Sequence, residues 1–246
     1  MKILDIDLDF FLNNVHCGSV KRTRRLSCKK YIPWLKSDVE LFLEQNCGLT
    51  KALKIKGKYF QHHVEVFYYL RELQENAEFN LKFSIDHVDA HGDLGLGDNS
   101  FKYISTSLLN KSLKKRAYPK PTKLNSGNFL SFAIACQWVE NLKYINKIKW
   151  INDIPRILFK NFEIESNIIQ LKQYSKIQIN KVYEMGNIAK AICPLSHEPE
   201  VLFSVIDFNN FISADKYDLV FITQSPGFTP KTSDELLPII TQYIEI

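Results

Sequence analysis

The chain has 246 residues, of which 45% are hydrophobic and 24% charged, with a net charge of +5. That much apolar material excludes intrinsic disorder, and nine Gly with nine Pro exclude collagen-like and low-complexity fibres. No apolar run approaches the roughly 18–20 residues that cross a bilayer, and acids at positions 5, 7 and 9 leave no room for a secretory signal. The expectation is a soluble cytoplasmic protein with no membrane partner. The five Cys are never spaced as CxxC and read as reduced thiols.

In chain order, Lys2 to Leu8 reads as a buried strand that ends in acids. Lys21 to Pro33 reads as a basic loop carrying Lys21, Arg22, Arg24, Arg25, Lys29 and Lys30. A short helix is expected over Ser37–Asn46, capped by Ser37 and stopped by Gly48. A second follows over His63–Glu75, with Val66, Phe67, Leu70 and Leu73 on one face. Leu81–Val88 is a strand running into Asp89-Ala90-His91-Gly92-Asp93. A second basic group, Lys111, Lys114, Lys115, Arg116, Lys120 and Lys123, leads into a loop over Tyr118–Ser126. Asn128–Tyr144 reads as a long apolar helix. Short strand-like runs occupy Lys149–Asn152, Arg156–Phe162, Ile177–Val182, Val201–Ile206 and Leu219–Thr223. Thr232–Glu235 looks like a capping box opening the last helix, which Pro238 either kinks or delays. Trp34, Trp138 and Trp150 are expected to pack in the core or at its margin. With no repeat and no linker, the pattern predicts one α/β domain over 1–246 with a mostly parallel sheet and helices on both faces. Ligands bind such sheets at the carboxyl ends of strands, where both acid groups fall.

Asp5, Asp7 and Asp9 alternate along the first segment and point to one face. Read alone, they are equally a strand leaving the core with its acids in water. Asp89, His91 and Asp93 alternate in the same way after a second strand. Carboxylates with imidazole suit manganese, iron or zinc, and both clusters together supply ligands for two ions sharing carboxylates. His63 adds a second imidazole.

Asp89–Asp93 resembles the DAHxD motif of the ureohydrolases, the arginase and agmatinase superfamily, and Asp5-Ile6-Asp7-Leu8-Asp9 resembles their SxDxD motif with Asp5 in place of Ser. His63 is similar to the family's histidine ligand, although Gln61-His62 stands where a Gly-Gly-Asp turn is usual, and His62 is the alternative ligand. The nearest pattern is a divergent arginase-like branch that includes peptide arginases, carried by His63–Val66, Asp5–Phe11, Asp89–Asp93 and Ile222–Ser225, with Gln224 in place of Arg. The resemblance implies a three-layer αβα sandwich of the arginase/deacetylase type. It also implies a circular permutation, since the family's DxD strand follows its DAHxD strand. It further implies two manganese ions: His63 and Asp93 on the first, His91 and Asp9 on the second, and Asp89 with Asp7 bridging. A hydroxide between the ions would attack the guanidinium carbon and give ornithine and urea, with Asp93 or a nearby acid passing the proton on. The implied substrate is an arginine in a ribosomally made precursor peptide.

Asn125-Ser126-Gly127-Asn128 resembles the family's SGN substrate loop, which would make Ser126 and Asn128 substrate contacts; equally, Ser126 caps a helix. The late strand lacks the acid that pairs with the guanidinium in arginases, leaving Glu65, Asp98 and Asp207 as candidates. His87 reads as a hydrogen-bonded core residue behind the ligands, and His16 and His197 as surface. Three other classes compete. A hydrophobic N-terminal strand ending in DxD also resembles haloacid-dehalogenase-type phosphatases, though that leaves Asp89–Asp93 unused. A non-enzymatic protein could use the basic stretches to bind an acidic peptide or nucleic acid, yet no zinc-finger, RNP or KH pattern is present and nucleic acid is not expected. A deacetylase on the related fold would want one metal and a His in the DxD strand, where Asp9 stands. A homo-oligomer is compatible with the sequence.

Overall fold

Alternation along Lys2–Asp7 (β1) sends Leu4 and Ile6 into one apolar cluster and Ile3 into another, so Asp5 and Asp7 lie on the Ile3 face. The computed structural model describes residues 1–18, 24–147, 153–185 and 191–246. After β1 come α1 (Lys36–Leu41), β2 (Ile55–Phe60), α2 (Val64–Asn76), β3 (Phe83–Val88), α3 (Ser100–Tyr103), α4 (Leu113–Arg116), α5 (Phe129–Ala135) and β4 (Val139–Asn146). Then follow β5 (Ile168–Ile169), β6 (Lys172–Gln173), α6 (Lys176–Met185), β7 (Ser196–His197), β8 (Val201–Asp207), β9 (Leu219–Thr223), α7 (Leu237–Ile240) and β10 (Ile244–Glu245).

Eight strands form one sheet in the order β10-β2-β9-β1-β3-β4-β8-β5. Every pairing is parallel except β5 with β8. Strand β9 beside β1 is apolar on both faces along Leu219–Ile222, as a parallel sheet covered on both sides requires. Phe221 and Leu219 of β9 face α2 and α5, while Val220 and Ile222 face the cluster that holds Val39 of α1 and Ile240 of α7. The sheet therefore lies between two apolar layers. The first strand sits in the middle, pairing Asp5 with His87 of β3 on one side and with Phe221 of β9 on the other. This register brings the carboxyl ends of β1, β3 and β9 to one level.

Several elements differ from the sequence expectation. The helix expected over Asn128–Tyr144 stops at Ala135, because Gln137 takes a left-handed φ of 59° and Val139–Asn146 becomes β4. Ile177–Val182 lies in α6 rather than in a strand, with Ile179 and Val182 buried at helical spacing. Arg156–Phe162 forms short 3₁₀ turns, and β2 was not foreseen. Ser37 does not cap α1, which begins at Lys36 after the extended Leu35. Thr232–Glu235 lies in a 3₁₀ stretch without a side-chain cap, and Pro238 stands in the first turn of α7, where a missing N–H costs nothing. Lys21, Arg22, Trp150 and the run Lys149–Asn152 fall outside the described residues. The basic stretches are not simply solvated. Arg116 is buried and paired with both Glu198 oxygens at 2.7 and 3.0 Å, and Arg25 grips both Asp234 oxygens at 2.9 and 3.0 Å. All five Cys are free. No helix among the described residues is long and apolar enough to cross a membrane.

Phe67 on α2 is fully buried, with its ring 5.1 Å from Trp138 and 6.4 Å from Phe132. Phe67→Ala is expected to lower the stability read by urea unfolding by about 3–5 kcal/mol, the range for emptying an aromatic core site, while sparing the acidic end of the sheet.

Candidate metal centre

At the carboxyl ends of β1 and β3 the chain buries Asp5, Asp7, Asp9, Asp89 and Asp93 together with His63 and His87, and His91 sits partly exposed beside them. Each arrives from a different local device. Asp5 and Asp7 are the last two inward residues of β1, and Asp9 follows in a 3₁₀ turn whose backbone N–H donates to Asp7 Oδ1 at 3.0 Å. Asp89 continues β3, and its Oδ1 accepts the His91 N–H at 2.7 Å, folding the loop back on itself. Asp93 takes a φ of 47°, an uncommon conformation for a side chain with a Cβ. His63 is the residue that opens α2, held under the Phe129 ring at 4.7 Å between centroids.

His63 fixes the arrangement. Its Nε2 lies 3.1 and 3.0 Å from the two oxygens of Asp5. Its Nδ1 lies 3.1 Å from Asp7 Oδ2, 3.1 Å from Asp89 Oδ2 and 3.0 Å from Asp93 Oδ2. Yet none of these three oxygens is aligned to bond that nitrogen, and Nδ1 and Asp89 Oδ2 are both buried without a hydrogen-bond partner. Atoms that surround a common centre at right angles, each about 2.1 Å from it, stand about 3.0 Å apart. The spacing is that of ligands around a cation. Beside it, His91 Nδ1 lies 2.9 Å from Asp9 Oδ2 and 3.6 Å from Asp89 Oδ1, so Asp89 offers one oxygen to each imidazole. The groups Asp5/His63/His87, Asp7/His63/Asp89, Asp9/Asp89/His91 and His87/Asp89/Asp93 each bring ligand atoms close enough to hold a metal ion, though Asp5 and His87 do not line the cavity.

The electrostatics are one-sided. Burial and the Asp89 charge raise Asp7. Burial with the charges of Asp7 and Asp89 lifts Asp9 far above the carboxylate range. Burial and Asp89 push Asp93 up to about 7. Burial opposes charge on His63 and His91, but Asp5 raises the first and Asp9 the second well above the ordinary imidazole value. Five carboxyl groups face three imidazoles, so even full protonation of the rings leaves a buried negative excess. Protons on the rings stand in for part of the charge that metal ions would bring.

Asp5 is not a ligand in this arrangement. Both its oxygens are taken by His63, and Oδ2 also meets His87 Nδ1 at 2.8 Å. Against burial, these imidazoles hold its carboxyl at about 2. Its role is to fix the His63 ring with Nε2–H outward and Nδ1 toward the centre, the standard support for a metal-binding imidazole. His87 is fully buried behind the cluster, its Nε2 3.1 Å from the His91 carbonyl.

The sequence-predicted ligands His63, Asp89, His91, Asp93, Asp7 and Asp9 are all brought together and line one cavity with Ser126, Asp153 and Ser225. His62 is exposed, so His63 supplies the ring. Glu65 is not brought to the cavity. It accepts the Gln61 N–H at 3.2 Å and faces a separate groove with Lys58 and Tyr59. Asn128 also does not serve it: the fully buried amide donates to Asp98 Oδ2 and the Lys123 carbonyl and accepts from the Asn125 N–H. Asp98 is thereby spent on Asn128 and the Ser100 N–H, and Asp207 on the Asn209 turn. Ser126 lines the cavity while its Oγ accepts the Val64 N–H at 3.2 Å, at the start of α2. His197 is exposed, but His16 belongs to the site's rim: its carbonyl accepts His91 Nε2 at 3.1 Å and its ring tilts against Phe228. Sequence reasoning missed Ser225, whose hydroxyl donates to Asp7 Oδ2, and Asp153, whose carboxylate accepts the Gly92 N–H. Ser225 carried a signal, an acidic-strand neighbour at the end of β9; Asp153 carried none.

No protein family and no curated protein matches the chain.

Because His63, His91, Asp9 and Asp93 are all raised from their ordinary values, divalent-metal loading at neutral pH is expected to release protons. Metal affinity should rise with pH, and calorimetry in buffers of different ionisation enthalpy measures both effects. Asp5→Asn, which leaves the ligands in place but loosens His63, is expected to weaken metal binding about 10- to 100-fold, read by competition with a chelating dye.

Proposed function

We propose that the chain is a hydrolase using two divalent metal ions, arginase-like in its site, that cleaves the guanidino group of an arginine held within a peptide. The observation that carries this reading is the pair of imidazoles in one cavity: His63 Nδ1 ringed by Asp7, Asp89 and Asp93, and His91 Nδ1 facing Asp9 and Asp89. That is the ligand sharing the resemblance implies, with Asp89 common to both positions. Manganese suits oxygen-rich ligands completed by imidazole. When bound, such ions supply Lewis acidity and a water made nucleophilic at neutral pH.

The placement of β1 supports the permuted arginase-like reading. A strand at the start of the chain lies between β9 and β3 in parallel, where its acids meet those that follow β3. In the overall reaction a C–O bond forms at the guanidinium carbon, the C–N bond to the side chain breaks, and both protons of the water end on the leaving amine. Asp93, facing the cavity, is placed to pass a proton.

Two features favour a peptidyl arginine. Among the described residues lining the cavity none is Lys or Arg, so a free amino acid's carboxylate would find no counter-charge there. The Asn128 amide, turned inward, also leaves the SGN stretch with only Ser126 and the Gly127 backbone at the wall. An internal arginine makes neither demand. Both oxygens of Asp5 are engaged by imidazoles rather than free to attack, which speaks against an aspartyl-nucleophile phosphatase. A ribosomally made precursor peptide in the cytoplasm, processed to an ornithine product, is the substrate this reading expects.

The manganese-loaded protein is expected to release urea from an arginine-containing peptide, with free arginine turned over at least about tenfold less efficiently for want of a carboxylate partner. Asp89→Ala should abolish turnover and metal binding together. Equal efficiency on both substrates would remove the peptide preference. No urea from either, with metal bound, would refute the guanidino-hydrolase reading.

A further inference from the structure

Asp153 has no place in the metal ligand set, yet it lines the same cavity. One oxygen, Oδ2, is fixed by the Gly92 N–H within the Asp89–Asp93 loop. The other, Oδ1, is buried without any hydrogen-bond partner. Two more unpaired groups stand on the same side. The Tyr144 hydroxyl and both amide atoms of Asn146 are buried and unpartnered at the end of β4, and Tyr144 lies near enough to feel the Asp153 charge. Buried polar atoms are rarely left unpaired in folded proteins. Of these atoms, Asp153 Oδ1 belongs to a residue that lines the cavity, so it points to a polar occupant there and gives that wall a negative charge.

We propose that Asp153 is the subsite for the substrate's guanidinium cation, with Asp153 Oδ1 as its carboxylate partner. The proposal rests on the guanidino-hydrolase reading and supplies the acid that the late strand lacks. Gln224 and Ser225 end that strand without a carboxylate, and Glu65, Asp98 and Asp207 are each engaged elsewhere. A planar guanidinium presents several N–H donors in fixed directions, and Asp153 Oδ1 is free to accept from it. Holding the cation there, on the loop that carries Asp89 and Asp93, sets its carbon beside the metal ligands without using one of them.

Asp153→Asn is the test, because its amide oxygen still accepts the Gly92 N–H and the loop keeps its anchor. The probe is a doubly blocked arginine in which a methylene replaces the side-chain Nε, an amidinium with no C–N link to the chain to break. Its affinity for the manganese-loaded protein is measured by calorimetry beside metal content and melting temperature. Asp153→Asn is expected to keep its metal content and melting temperature but to bind the probe about 30-fold or more weakly, as for a charge pair cut on one side. On blocked arginine itself KM should rise, and Asp153→Glu should recover part of the loss. Equal binding by Asp153→Asn and the native protein, with native urea release intact, would overturn the subsite alone. Loss of metal from the variant would also overturn it, by making Asp153 a ligand. Failure of the native protein both to bind the probe and to release urea would overturn the guanidino-hydrolase reading and the subsite with it.

Discussion

Buried negative charge at one end of the sheet is the constraint on which the rest of the structure depends. Five carboxyl groups on β1 and in the loop after β3 occupy a space where each raises the cost of ionising the next. A soluble fold does not gather them without compensation. Here the compensation is partly internal, from His63, His87 and His91, and the deficit is what makes the cluster a candidate cation site. The unaligned oxygens around His63 Nδ1 make the same point geometrically, since a settled hydrogen bond would have drawn one of them into line.

Several features that look unrelated serve to hold this charge in place. Asp5 keeps the His63 ring oriented, and Phe129 of α5 closes over it. Asp93 and Ser225 both adopt left-handed backbone angles, with φ of 47° and 45°, at the two walls of the cavity. Such conformations persist where surrounding structure enforces them. At Ser225 the reward is the hydroxyl bonded to Asp7; at Asp93 it is an oxygen 3.0 Å from His63 Nδ1. The apolar layers on either face of the sheet provide the stiffness that makes these placements definite.

The sequence made the ligand set legible because alternation does two jobs at once. In Asp5-Ile6-Asp7 the same period of two that puts Ile6 in the core puts both acids on the opposite face, and a parallel sheet then delivers them to its carboxyl edge. The limits of local pattern appear elsewhere. Asn128–Tyr144 is largely apolar, and nothing local distinguishes a buried helix followed by a buried strand from one long helix. Ile177–Val182 is too short to reveal its period, and β2, with exposed Lys56 and Lys58, lacks the apolar run that marks the central strands. Asp153 was hidden for a different reason: its importance is that it lacks a partner, and partnership is a property of three dimensions.

Gln224 stands where the motif that the sequence resembles has an Arg, and a distant segment brings a guanidinium close to it. Gln224 accepts from the Tyr59 hydroxyl at 2.8 Å and donates to Asp234 Oδ1 at 2.7 Å. Arg25 then reaches across with one guanidinium nitrogen on both Asp234 oxygens and another on Thr229 Oγ1 at 2.8 Å, while Thr229 donates to the carbonyls of Gln224 and Ser225 at 3.0 Å. The guanidinium is thus present at the end of β9 but is supplied by the basic loop rather than by the strand. This has a consequence for that loop. Its segment around Arg25 is tied through Asp234 and Thr229 to the backbone of Ser225, and Ser225 in turn holds Asp7. A basic residue that composition alone would assign to solvent or to an anionic partner is instead part of the chain of contacts that fixes a metal-ligand carboxylate.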